Sequence, residues 1–214
     1  MTTKMRIAVL ISGEGSNLQA LIDEADQAHY DIGLVLSNRP HAKGLQKAEK
    51  AGISTAILDH SQFDSREAFD TAMIQIIDSH QIDAVILAGF MRILTPIFTD
   101  HFLGRMLNIH PSLLPKYPGL NTHQRALDAQ DNEHGLSIHF VTSELDGGPV
   151  ILQAKVPITD EDTAETLQKK VQHQEHIAYP LVTNWLASGD LIFKNNQVWY
   201  KNTFLTTPIQ LTER

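Results

Sequence analysis

Short unbroken apolar blocks, Ile7–Ile11, Ile32–Leu36 and Ala84–Leu87, alternate with segments whose apolar residues recur every three to four positions. A strand with one face in water alternates apolar and polar side chains, so unbroken blocks of this length indicate strands covered on both faces, as in a parallel sheet. The intervening segments have helical spacing: Ser16–Ala28 through Leu18, Leu21, Ile22 and Ala25, Lys43–Ala51, and Ser65–His80 through Phe69, Met73, Ile76 and Ile77. Gly52 suits the end of the second helix, with Ile53–Leu58 as a further strand. The order βαβαβαβ predicts an α/β fold, a doubly wound, mostly parallel sheet flanked by helices.

The second half is less regular. Thr95-Pro96 fits the cap and first turn of a short helix, and Met106–His110 reads as the next strand. Pro111, Pro115 and Pro118 then exclude regular structure before a helix at Thr122–Ala129. Leu136–Val141 and Val150–Val156 read as strands, and Thr163–Ala187 as a long helix interrupted at Pro180. Leu191–Phe193 and Gln197–Tyr200 flank Asn195-Asn196 as a closing hairpin, a C-terminal antiparallel extension. With no repeat or linker, one domain over residues 1–214 is expected, with a core at about 5–193 and residues 194–214 as an edge or tail.

Composition narrows the class. Lys plus Arg total 17 against 25 for Asp plus Glu, a formal net charge of −8, the wrong sign for a nucleic-acid binder. The absence of cysteine removes disulfides, thiolate metal sites and a Cys nucleophile, and a cytoplasmic protein is expected. The longest apolar run, Ala84–Met91, falls far short of the roughly 20 residues of a membrane-spanning helix. Small-molecule substrates, with no nucleic acid and no membrane, are the partners expected.

In a doubly wound sheet the ligand crevice lies beyond the carboxyl ends of the strands. The first strand runs into Ser12-Gly13-Glu14-Gly15-Ser16-Asn17 at a helix start, where free N–H groups favour an anion. Neither a full dinucleotide fingerprint nor a P-loop lysine is present, so this is a phosphate site or a tight turn with Ser16 as the helix cap. Strand alternation points Asn108 and His110 the same way and Ile109 into the core. An amide donor beside an imidazole suits acyl transfer, where an oxyanion and a proton are both managed. Asp146, before Gly147-Gly148, is either a turn former or the group that orients His110. Gly89-Phe90-Met91-Arg92-Ile93-Leu94, after the fourth apolar strand, is either a flat apolar pocket or ordinary core. Glu175 falls about 40° from Val171, inside the stripe of Leu167, Val171, Ala178, Val182 and Trp185, so its carboxylate needs a partner. His173 and His176 have no metal-site spacing, and no metal is expected.

Together, Ser12–Leu18, Ala88–Leu94, Asn108–Gly119, His139–Pro149 and Gln174–Pro180 resemble the formyltetrahydrofolate-dependent transferases, in particular the branch that acts on phosphoribosylglycinamide in purine synthesis. The runs N-I-H-P-S-L-L-P-K-Y-P-G and F-V-T-x-E-L-D-G-G-P-V-I carry the resemblance most specifically, and it spans residues 5–193. It implies transfer of a formyl group from 10-formyltetrahydrofolate, as co-substrate, to the primary amine of 5-phosphoribosylglycinamide. By the same resemblance Asn108, His110 and Asp146 are catalytic, and Gly15, Ser16 and Asn17 hold the substrate phosphate. Gln172, His173, Gln174 and Glu175 contact the ribose and glycinamide. Arg66, Met91, Arg92, Ile93, Leu94, Asn108, Thr142, Ser143, Glu144, Leu145 and Asp146 line the folate site. Glu14 departs from the usual uncharged residue, and an inward carboxylate there would repel phosphate. The alternatives are hydrolysis of the formyl donor, transfer to another amine, and a catalytically dead nucleotide-binding module. A monomer or weak homodimer is expected, and the Pro111–Asp131 segment is a candidate lid.

Overall fold

The computed structural model describes residues 4–211. Its main sheet begins with β1 (Met5–Ile11), β2 (Tyr30–Ser37), β3 (Thr55–Ile57), β4 (Ala84–Leu87) and β5 (Met106–His110), all parallel to one another. β6 (Glu133–Phe140) and β7 (Val150–Pro157) extend it antiparallel. The order is β11-β7-β6-β5-β4-β1-β2-β3, with β11 (Ile209–Gln210) at the edge.

Successive side chains of β1 leave opposite faces, and both faces are covered. Ile7, Val9 and Ile11 pack with Leu18 and Leu21 of α1 (Ser16–Glu24), Leu45 and Ala48 of α2 (Gly44–Lys50), and Leu167, Val171 and Val182 of α6 (Ala164–Ser188). Ala8 and Leu10 pack with Phe69, Met73 and Ile77 of α3 (Arg66–Ser79) and Phe98 and Phe102, the latter pair at α4 (Pro96–His101) and its end. This two-sided burial explains the unbroken apolar strands. α5 (Thr122–Asp128) precedes β6.

Several boundaries differ from expectation. The first helix ends at Glu24 rather than Ala28, because the Lys4 ammonium donates to the Ala25 and Asp26 carbonyls at 2.7 and 3.2 Å and so satisfies them where the chain turns away. The third strand is only Thr55–Ile57. Pro180 does not interrupt α6: the helix runs on to Ser188, and the fully buried Tyr179 anchors this stretch by donating its hydroxyl to the Leu87 and Leu107 carbonyls at 2.7 and 3.2 Å.

The C-terminal stretch, expected as an edge or tail, forms short strands. β8 (Leu191–Lys194) and β9 (Gln197–Tyr200) form the expected hairpin, which β10 (Thr203–Phe204) extends to a second, three-stranded antiparallel sheet. The chain then crosses back, and Ile209–Gln210 pairs parallel with Leu152 and Gln153 of β7. Residues 212–214 of the expected tail lie outside the described residues.

Candidate active site

The carboxyl ends of β1, β4 and β5 meet at one cleft. Ser12, the residue after β1, ties its walls together: its buried hydroxyl donates to Asn38 Oδ1 at 2.6 Å and accepts from the Met91 N–H at 2.8 Å. The loop after β1 is thereby fixed to the loop after β4.

On the β1 side, Gly15 caps α1 with φ +68°, and a Cβ there would lie 2.7 Å from the Gly44 Cα. Left-handed backbone and close approach of α2 both require glycine. Gly15 is therefore the cap, and Ser16 is the first helical residue, its hydroxyl accepting from Gln172 Nε2 at 2.8 Å. Asn17 Nδ2 donates to Glu175 Oε2 at 2.9 Å, which supplies the partner that the buried carboxylate needed. Burial raises the Glu175 pKa, and the Asn17 hydrogen bond partly opposes this. Asn17 Oδ1 is buried without a protein partner, an acceptor left for a ligand's N–H or O–H.

Glu14 pairs with Lys43 at 2.7 Å, with side chains 72% and 69% exposed, so its carboxylate is held in solvent and not over the loop. Lys47 donates to the Gly15 carbonyl at 3.1 Å and brings a cation beside the candidate phosphate loop. Nothing in the spacing of Lys43, Lys47 and Lys50 distinguished that role from a solvated face.

At the cleft's centre, Asn108 and His110 share a face of β5 as predicted, with Ile109 in the core. His110 Nδ1 lies 3.6 Å from Asp146 Oδ2, both side chains being under a tenth exposed. His110 Nε2 is 2.8 Å from the Tyr117 carbonyl, which can only accept, so that nitrogen carries a proton. Asp146 Oδ2 also accepts from the Gly119 N–H at 2.9 Å. The imidazole and carboxylate thus each hold the Pro-rich loop after β5. Asp146 itself has φ +52°, and a Cβ on Gly148 would lie 1.8 Å from the Phe140 carbonyl oxygen. The Asp-Gly-Gly run is the backbone solution that places the carboxylate there.

Sequence reasoning missed His139. It sits opposite Asn108 in the antiparallel β5/β6 pair, 2% exposed, with Nε2 3.1 Å from Asn108 Nδ2 and Nδ1 2.8 Å from the Phe140 carbonyl. Burial lowers its pKa. Only cross-strand register could have revealed it, and register is not readable from local pattern.

Beside Asn108 a cavity of about 100 Å³ is lined by Phe90, Arg92, Ile93, Leu94, His139 and the 141–146 loop. Of the expected folate-site residues, Arg92, Ile93, Leu94, Asn108, Thr142, Ser143, Glu144, Leu145 and Asp146 line it. Met91 stands outside, 57% exposed, and Arg66 acts on the wall, donating to the Ile93 carbonyl at 2.6 Å. The four α6 residues separate: Gln172 and Glu175 contact the start of α1, while His173 and Gln174 line a second concavity of about 920 Å³ bounded by α6, the end of α1 and the β7/β11 edge. Among the described residues no group of three His, Asp or Glu side chains is arranged to hold a metal ion.

The arrangement offers an anion-binding helix start, a half-apolar cavity, and between them an amide donor with a buried imidazole–carboxylate pair. Known proteins resemble the chain over most of its length. The family model described as formyl transferase matches residues 5–183. The phosphoribosylglycinamide formyltransferase of Escherichia coli (strain K12) is 56% identical over 197 residues, covering 91% of this chain and 93% of that protein. The protein of that name from Haemophilus influenzae is 48% identical over 193 residues, covering 89% and 91%. The solved phosphoribosylglycinamide formyltransferase of Coxiella burnetii superposes with a TM-score of 0.94 at 47% identity, covering 98% of this chain and all of that one.

Proposed function

The chain belongs to the formyl transferase family, and from that premise we propose that it transfers the formyl group of 10-formyltetrahydrofolate to the primary amine of 5-phosphoribosylglycinamide, a step of purine biosynthesis, in the cytoplasm. The observation that carries this reading is the convergence of Asn108, His110 and Asp146 between the β1 loop and the cavity after β4.

The helix start at Gly15–Asn17, with Lys47 beside it, supplies N–H groups and a cation to the acceptor's phosphate. The unpartnered Asn17 Oδ1 and the Glu175 carboxyl supply acceptors for its hydroxyl or amine hydrogens. On the other wall the cavity lined by Phe90, Ile93 and Leu94 fits the flat end of a folate. Its volume is well under the roughly 300 Å³ at which pockets for drug-sized ligands begin. The remainder of the folate therefore rests on the exposed Met91, Ile93 and Leu145 side chains, or the 142–146 loop moves outward.

In the chemistry, the neutral amine attacks the formyl carbon, a C–N bond forms, and the carbonyl oxygen becomes an oxyanion. Asn108 donates to that oxygen. His110, charged when Nδ1 is also protonated toward Asp146, adds a positive field; its Nε2 proton is engaged by Tyr117, so direct donation from His110 requires the Tyr117 contact to open. Collapse breaks the bond to N10, the amine's proton is delivered to N10 through water held by Asp146, and no covalent enzyme intermediate forms.

The test is donor consumption followed by absorbance with and without phosphoribosylglycinamide, with product detected by mass. Acceptor-dependent loss matched by a product heavier by one CO is the expected result. Donor loss without acceptor would make the protein a hydrolase, and no loss would overturn the assignment.

A further inference from the structure

Two histidines flank the catalytic amide, and only His110 has a role so far. His139 is packed more tightly. The Phe140 carbonyl 2.8 Å from its Nδ1 can only accept, so the ring proton resides on Nδ1. The same carbonyl oxygen stands against Gly148, where no Cβ fits, so ring and carbonyl have little freedom to part. Burial at 2% exposure opposes a second proton, as does His110 on the neighbouring strand; the Phe140 carbonyl and Asp146 Oδ1, 3.9 Å from Nε2, favour it, and the opposition prevails. Nε2 is then a bare lone pair.

Asn108 must meet that lone pair, 3.1 Å away, with nitrogen; its carboxamide oxygen would face it acceptor to acceptor. The neighbouring ring thus fixes the amide's orientation.

We propose that His139 is a positioning residue, whose Nε2 lone pair takes one N–H of Asn108 and so holds the carboxamide with its nitrogen inward and its second N–H free to donate to the formyl oxygen. The last clause rests on the proposed formyl transfer; the tautomer and the amide orientation do not. A protonated or Nε2–H ring would turn the amide over and present its oxygen to His139.

The experiment has a structural arm and a kinetic arm. Nitrogen NMR of the unmodified protein labelled in its histidines is expected to show His139 as the Nδ1–H tautomer, neutral through the neutral pH range. An Nε2–H or imidazolium signal would overturn the proposal, whether or not the protein turns over substrate. In the kinetic arm, His139→Met removes the acceptor and is expected to lower kcat by about tenfold or more, short of the roughly 10²–10³ lost with an oxyanion donor itself. His139→Gln, whose amide oxygen can accept, restores part of it. In an Asn108→Ala background, His139→Met should cost nothing further, because the residue it positions is gone. Unchanged kcat in His139→Met, or a loss that adds fully to that of Asn108→Ala, contradicts the role. Should His139→Met not fold, the NMR arm decides alone; should the unmodified protein transfer no formyl group, the functional reading fails and the tautomer still stands or falls by itself.

Discussion

His110 and Asp146 face one another at 3.6 Å inside the protein while each keeps a second bond to the loop between them in sequence: His110 to the Tyr117 carbonyl, Asp146 to the Gly119 N–H. The charge beside His110 and an anchor of the Pro-rich loop after β5 are thus carried by one side chain. Replacing Asp146 by asparagine separates the two. The amide oxygen still accepts from Gly119, but the negative charge beside Nδ1 is lost. We expect Asp146→Asn to fold and to lose about 10²–10⁴ in kcat, the range for a positioned acid–base group. Steady-state kinetics with a thermal melt checks this; a kcat within a few fold of the parent would remove Asp146 from the proton path.

In the proposed reaction Glu175 serves acceptor binding. Its buried carboxyl is held by Asn17 across the helix pair α1/α6. Glu175→Gln preserves shape and keeps one oxygen to accept from Asn17, while the position offered to the ligand changes from an acceptor to an NH2 donor. The expected result is a KM for the glycinamide raised by about tenfold, equivalent to one hydrogen bond to a charged group, with kcat and the donor's KM little altered. Equal damage to both substrates' KM would indicate general distortion.

Gly148 tests the backbone logic. A Cβ there meets the Phe140 carbonyl carbon at 2.9 Å and its oxygen closer still, so the backbone must move. Gly148→Ala should cost about 1–3 kcal/mol, as overpacking does, and displace Asp146 from His110. Chemical denaturation and kcat together read it; an alanine variant of parental stability and rate would show that the turn has room.

Stability should fall as the medium is acidified toward pH 4. His134 and His123 lie 3.1 Å apart, and burial lowers both pKa values, that of His134 to about 4. Between its unfolded value near 6.5 and that lowered value, His134 takes a proton only when unfolded, so stability is fully present above about pH 6.5 and is lost as pH falls through this window. Melting temperatures across pH 4–7.5 check this, with His134→Gln expected to flatten the dependence. A parent and variant of identical slope would place the acid sensitivity elsewhere.

Most of the sheet was legible because burial on both faces leaves unbroken apolar strands, and Ile7–Ile11 could hardly be anything else. What escaped depends on contacts between distant residues. Lys4 ends α1 from outside it, and Tyr179 anchors the stretch of α6 that carries Pro180. Ile209–Gln210 becomes a strand only because β7 offers an edge. In the site, Asn108 and His110 were found by alternation along one strand, but His139 reaches Asn108 through register between two strands. His173 and Gln174 were grouped with Gln172 and Glu175 by adjacency, whereas helical rotation sends the two pairs to different sides.

The most direct test of the account is kcat of Asn108→Ala with saturating 10-formyltetrahydrofolate and phosphoribosylglycinamide. If Asn108 holds the developing oxyanion, kcat falls by about 10²–10³ while both KM values stay near the parent's. A variant that turns over at the parental rate would contradict the placement of the chemistry at this amide.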